Sequence, residues 1–190
     1  VAFRRLMALG IPMAIQSAAI SFSKIVLMAW INLFDVTYSA LAGIFNKVNI
    51  VSGVISMSFT TAGSTMVGQN LGAREYKRVN IVLVTVLLVG LALALLATGA
   101  MLLWPDAIYG IFNSDASYMA AVGVLTLPII LNLYGSATRS AAFALINGSG
   151  RARLNLAVAI IDGVISRVGL AALLGFALSM GCRGFWLGDA

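Results

Sequence analysis

Histidine is absent from this 190-residue chain, cysteine occurs once, proline three times, and charged residues make up only 9%. With Cys182 as the single thiol, no disulfide can close within the chain, and no zinc or iron–sulfur ligand set can be built from His and Cys. No imidazole, no paired carboxylates and no phosphate-cradling glycine loop ending in Lys-Ser/Thr are present, so enzyme chemistry has no constellation to start from, and no cofactor is expected. So few charges cannot cover the surface of a water-soluble domain. The formal charge of +6 sits in short clusters between long apolar runs, not in one stripe, which argues against nucleic acid as a partner.

What the chain has is hydrophobicity: 61% of residues are apolar and the mean hydropathy is +1.02. Five runs reach the roughly 20 apolar residues needed to cross a bilayer, over residues 6–33, 36–67, 79–104, 116–146 and 154–180, and a sixth opens near 184. The runs show no sustained apolar/polar alternation, which excludes a β-barrel. The expected fold is therefore an all-α, polytopic membrane helix bundle with lipid as its partner. The first residues carry neither an initiator Met nor a signal-peptide layout, and the last lie inside an apolar pattern, so the chain reads as a single partial lobe of something longer.

Charge supports the helix count. Five crossings place Arg4, Arg5, Arg74, Lys77, Arg78, Arg151 and Arg153 on one side, against Arg183 with Asp35, Asp106 and Asp115 on the other. This is the positive-inside asymmetry, and it puts the residue 1 side in the cytoplasm. The outer side collects Trp30, Phe34, Tyr38, Trp104, Tyr109, Tyr118 and Trp186, as an interfacial aromatic belt would.

A charge at mid-depth costs on the order of 2.5–3.5 kcal/mol on insertion scales, so intramembrane ions mark an interior or a wet cavity. At about 1.5 Å per residue, Lys47, Arg139 and Asp162 fall near the midplane, Arg167 slightly past it and Lys24 toward the outer side. Lys24 and Arg139 are long enough to snorkel; Asp162 is not. Its structural role is pairing with Arg139, Lys47 or Arg167, and its functional role is holding a proton or cation. In an ideal helix Asp162 and Arg167 stand about 140° apart and do not share a face. Gln16, Ser17, Ser21, Ser23, Asn46, Asn49, Asn132 and Thr138 are either interhelical glue or cavity lining. Pro128 removes a backbone bond inside the fourth run and is either a hinge or a static bend. Ala159 and Gly163, and Ala171 and Gly175, are small pairs four apart that permit close helix approach.

Several segments together resemble one family. Asn46-Lys47-Val48 is followed by Thr65-Met66-Val67-Gly68-Gln69-Asn70-Leu71-Gly72-Ala73 and then Lys77-Arg78. Gly10-Ile11-Pro12 opens the first helix, and Asn147-Gly148-Ser149-Gly150 ends the fourth. Asp162-Gly163-Val164 and Arg167-Val168-Gly169-Leu170 lie in the fifth, and Gly184-Phe185-Trp186-Leu187-Gly188 opens the sixth. The series is similar to the second half of a multidrug and toxic-compound extrusion (MATE) transporter. Taken bare, Gly68, Asn70 and Gly72 permit a sharp helix exit and turn; the resemblance makes Gly68, Gln69, Asn70 and Gly72 a cytoplasmic motif.

The resemblance implies two six-helix lobes around a cavity, with this chain supplying helices seven to eleven and the start of twelve. It further implies export of small amphipathic compounds in exchange for Na⁺ or H⁺ across a bacterial plasma membrane. Some relatives couple through acidic residues on helices seven and ten; the corresponding runs here have none. Coupling then rests on the N-terminal lobe, the implied partner of this one, or on Asp162. The cavity candidates are Asp162, Lys47, Arg139, Asn46, Gln16 and Arg167. Two alternatives stay open: a related lipid-linked-sugar flippase whose cationic cavity binds pyrophosphate through Lys47 and Arg139, and a non-transporting membrane scaffold subunit.

Overall fold

A computed structural model describes residues 2–32, 36–110 and 116–189, and these form helices and turns without a strand. Phe34, Asp35 and Asp115 lie outside the described residues, as do the side chains of Arg4, Arg5, Gln16, Tyr38, Tyr109 and Tyr118. The elements are α1 (Ala2–Ile31), α2 (Val36–Gly72), α3 (Tyr76–Leu103), a short α4 (Pro105–Gly110), α5 (Ala116–Gly148), α6 (residues 152–177) and α7 (Cys182–Asp189). Within the described residues, four segments are long and apolar enough to cross a membrane: Leu41–Gly72, Tyr76–Leu103, Gly123–Gly148 and Arg153–Ala177. The shorter apolar stretch Ser17–Ile31 belongs to the 30-residue α1. The protein is an all-α membrane helix bundle.

Helix α5 packs along α2 and α3, while α1 packs along α6 and α7 doubles back on α6. Leu27, Ile31, Leu41, Phe45, Leu125, Ile129, Phe185 and Trp186 form the main buried cluster where these groups meet, and Val67, Val79, Val82 and Val86 form a smaller one. Large apolar side chains also cover the outside: Leu88, Leu95, Leu96, Leu102 and Leu103 of α3 are all exposed. An apolar exterior of this kind is what lipid solvates.

The structure differs from the expectation at several places. Gly68–Gly72 does not leave the helix; it forms the last turn of α2. The turn closes beyond it, where Arg74 N–H donates to Leu71 O and Glu75 N–H to Asn70 O, with Arg74 at φ 60°. This is a Schellman closure whose left-handed position is held by an arginine instead of Gly72. The end of α5 closes alike through Gly150 at φ 69°. The sixth run begins at Cys182, two residues before the expected start. Trp186, assigned from sequence to the interfacial belt, is a core residue only 1% exposed and packed beside Phe45. The docking of α7 against α6 decides that, and hydropathy alone carries no record of it.

Small residues set the close contacts. A Cβ on Gly148 would lie 2.7 Å from both the Ser64 carbonyl oxygen and Val67, so α2 and α5 nearly touch at this end. Gly163 meets Ile20 of α1, Gly175 meets the Phe185 ring, and Gly184 and Gly188 lie against the backbone of Leu174 and Ala171. These are small-residue crossings of the kind that let membrane helices gain van der Waals contact. Gly148→Ala is expected to destabilise by about 1–3 kcal/mol, seen as a lower melting temperature in detergent. Gly169→Ala, with no atom within 4 Å of the new methyl, is expected to leave it unchanged or slightly raised.

Candidate functional site: a polar cavity among four helices

Hydroxyls in a hydrocarbon-facing bundle must find partners, and α2 and α5 solve this jointly. Ser56 Oγ and Ser140 Oγ lie 2.5 Å apart, Ser140 also donates to the Ser136 carbonyl at 2.7 Å, and Ser136 Oγ donates to Asn132 Oδ1 at 3.4 Å. Asn132, Ser136 and Ser140 are buried. The seam runs along one wall of a cavity of about 510 Å³ lined by residues of α1, α2, α5 and α6. That volume suits a drug-sized ligand.

Four charged side chains reach this cavity: Lys24, Arg139, Asp162 and Arg167. Arg139 Nη1 donates to Asp162 Oδ2 at 3.4 Å, and its Nη2 donates to Ser136 Oγ at 3.3 Å. The pair is open, with side-chain exposures of 31% and 47%. It also borders a second space of about 440 Å³ on the Thr138 and Val158 side, so the two side chains stand between two cavities. Of the partners considered for Asp162, the structure selects Arg139.

Arg167 has a different fate. It is buried and paired with Asp189 of α7, the two side chains 9% and 13% exposed. Asp189 was missed by sequence reasoning, which followed the sixth apolar run only as far as Gly188; the signal was a carboxylate one residue further inside the same pattern. Residues 161–166 are π-helical, with the Arg167 N–H bonded to the Asp162 carbonyl. The wider i→i+5 winding lowers the rotation per residue, so Asp162 and Arg167 both reach the cavity despite their separation in an ideal α-helix.

The remaining candidates separate. Asn49, Asn132 and Ser17 line the large cavity. Asn46 does not; it faces a small space with Lys24, Phe45, Trp186 and Asp189. Lys47 is exposed on α2 and does not line the large cavity. Pro128 is buried, and α5 stays helical through it. Gln69 is exposed at the end of α2, Asn70 Nδ2 donates to Met66 O at 2.7 Å, and Gly68 approaches the Gly148 carbonyl. Of the motif only Gly68 is seen to pack α2 against the end of α5, and none of its four residues lines the cavity.

The sequence profile of the MatE family matches residues 12–173. Among solved structures, the chain is similar to one described as the outward-facing conformation of a multidrug resistance MATE family transporter of the MOP superfamily, with a TM-score of 0.77 and 17% identity. That likeness covers 97% of this chain but 41% of the transporter, so the chain spans less than half of that protein's length. No curated protein matches the chain.

The two ion pairs are expected to respond differently to neutralisation. Arg167→Met strands a buried Asp189 and should cost about 3–5 kcal/mol, whereas Arg167→Met combined with Asp189→Leu recovers most of it. Arg139→Met opens a pair already in contact with the cavity and should cost about 1 kcal/mol or less. Thermal melting of the three variants in detergent separates these outcomes.

Proposed function

The chain belongs to the MatE family, and on that premise we propose that it forms one lobe of a two-lobe secondary transporter exporting small amphipathic compounds in exchange for Na⁺ or H⁺. The observation that carries this reading is the cavity of about 510 Å³, lined mostly by polar and charged residues while the helices around it are apolar without. A wet, charged chamber costs a membrane bundle stability and is retained where a solute must pass. Alternating access requires two bundles rocking about a site between them, so this lobe works only with its partner.

The coupling ion is assigned first to that partner lobe. Among the described residues lining the cavity Asp162 is the sole carboxylate, and it is paired with Arg139. The membrane is proposed to be a bacterial plasma membrane, with the residue 1 side in the cytoplasm, as the basic clusters imply.

Reconstituted in vesicles, the full-length protein is expected to move a panel of amphipathic fluorescent dyes against their gradients when a Na⁺ or proton gradient is imposed. Failure with every dye and both ions defeats the reading. The orientation has its own test. Helix α3, 28 residues or roughly 42 Å long, separates Arg74 from Asp106. In a Cys182→Ser background, Arg74→Cys and Asp106→Cys should react with an impermeant thiol reagent from opposite faces, with Arg74→Cys on the cytoplasmic one.

A further inference from the structure

The charges around the large cavity do not balance once their pairings are known. Arg167 is committed to Asp189, a buried pair. Arg139 is matched by Asp162. Lys24 also lines the cavity, is exposed, and makes no ion pair among the described residues. Three cations against two carboxylates leave one positive charge, and it resides on Lys24.

Arg139 adds capacity. Of the five N–H donors of a guanidinium, one is used by Asp162 and one by Ser136. The contact with Asp162 is through single atoms and is long for a charge-assisted bond, and the side chain is 31% exposed. The other donors are free to take a second oxyanion, the geometry at which guanidinium surpasses ammonium. Ser52, Thr60, Asn49 and Asn147 supply neutral polar contacts, and Ile20, Met57 and Phe143 supply apolar ones.

We propose that this cavity binds a water-soluble amphipathic organic anion, its carboxylate or phosphate held between Lys24 and Arg139 and its apolar part against Met57 and Phe143. This names the substrate class of the transporter proposed above and rests on that reading. Lys24 supplies the uncompensated charge, Arg139 the directional donors, and Asp162 holds Arg139 in place when the cavity is empty. A cationic solute finds no unpaired carboxylate among the described residues that line this cavity.

The test uses purified full-length protein with two probes, the anion carboxyfluorescein and the cation ethidium, each measured by fluorescence anisotropy in detergent and by uptake into proteoliposomes. The expected result is preferential binding and transport of carboxyfluorescein. Lys24→Gln and Arg139→Gln should each weaken its binding about tenfold, and Lys24→Arg should restore it. Arg139→Lys keeps the charge opposite Asp162 and guards against a folding defect; it should bind more weakly than wild type because the forked donors are gone. Preferential binding of ethidium, or carboxyfluorescein binding unaltered by Lys24→Gln, would overturn the proposal while leaving a transporter in place. Carboxyfluorescein binding without transport of any dye supports the site and defeats the transport reading instead. Movement of a fluorescent anionic lipid between leaflets, with no binding of the soluble dye, also overturns the proposal, since the recognised anion is then lipid-borne.

Discussion

Hydrocarbon offers no hydrogen bonds, and each other feature of this structure answers to that fact. A backbone amide left open in lipid costs several kcal/mol, so the spanning segments are helices whose amides are satisfied within themselves. The same demand reaches the side chains. Exposed Ser58 and Thr85 each donate to the carbonyl one turn back, at 2.9 and 2.8 Å, so their hydroxyls can face outward from an apolar helix. Where polar groups are too many or too strong for that local solution, they turn inward and meet across helices, as Ser56 and Ser140 do.

The charged groups follow the same rule with higher stakes. The Arg167–Asp189 pair is largely buried between α6 and α7, and the glycines at 175, 184 and 188 let those helices approach closely. The Arg139–Asp162 pair instead stays open to the cavity, held by one hydroxyl and one carboxylate contact. Desolvation explains the division of labour: a buried pair is costly to break and therefore structural, whereas a wet pair can be remade with a ligand. The π-helical turn between Asp162 and Arg167 lets one helix serve both purposes, with one residue joining each pair.

The glycine and alanine positions show how composition becomes architecture. Without a hydrophobic force between helices in lipid, close packing supplies the attraction, and each added methyl at a crossing removes it. Gly148 against Ser64 and Val67 joins α2 to α5, and Gly163 against Ile20 joins α6 to α1. The cavity lies among α1, α2, α5 and α6, the helices these contacts join in pairs.

Much of this is legible in the sequence. The length and hydropathy of the runs determine that the chain spans a membrane as helices, because one-dimensional transfer energy is sufficient for that conclusion. The motif order around Gly68–Ala73 pointed to the family, and Ala171 with Gly175 was readable as a contact surface. Which charge met which was not. From the pattern alone Asp162 can pair with any of three cations, Asp189 does not stand out, Trp186 belongs to the interface and Lys47 to the cavity. The observed outcomes depend on helix rotation, on a π-helical turn that changes facing, and on the docking of α7. Each is a relation between segments distant in sequence, set by side-chain packing, and the linear pattern of polar and apolar residues does not contain it.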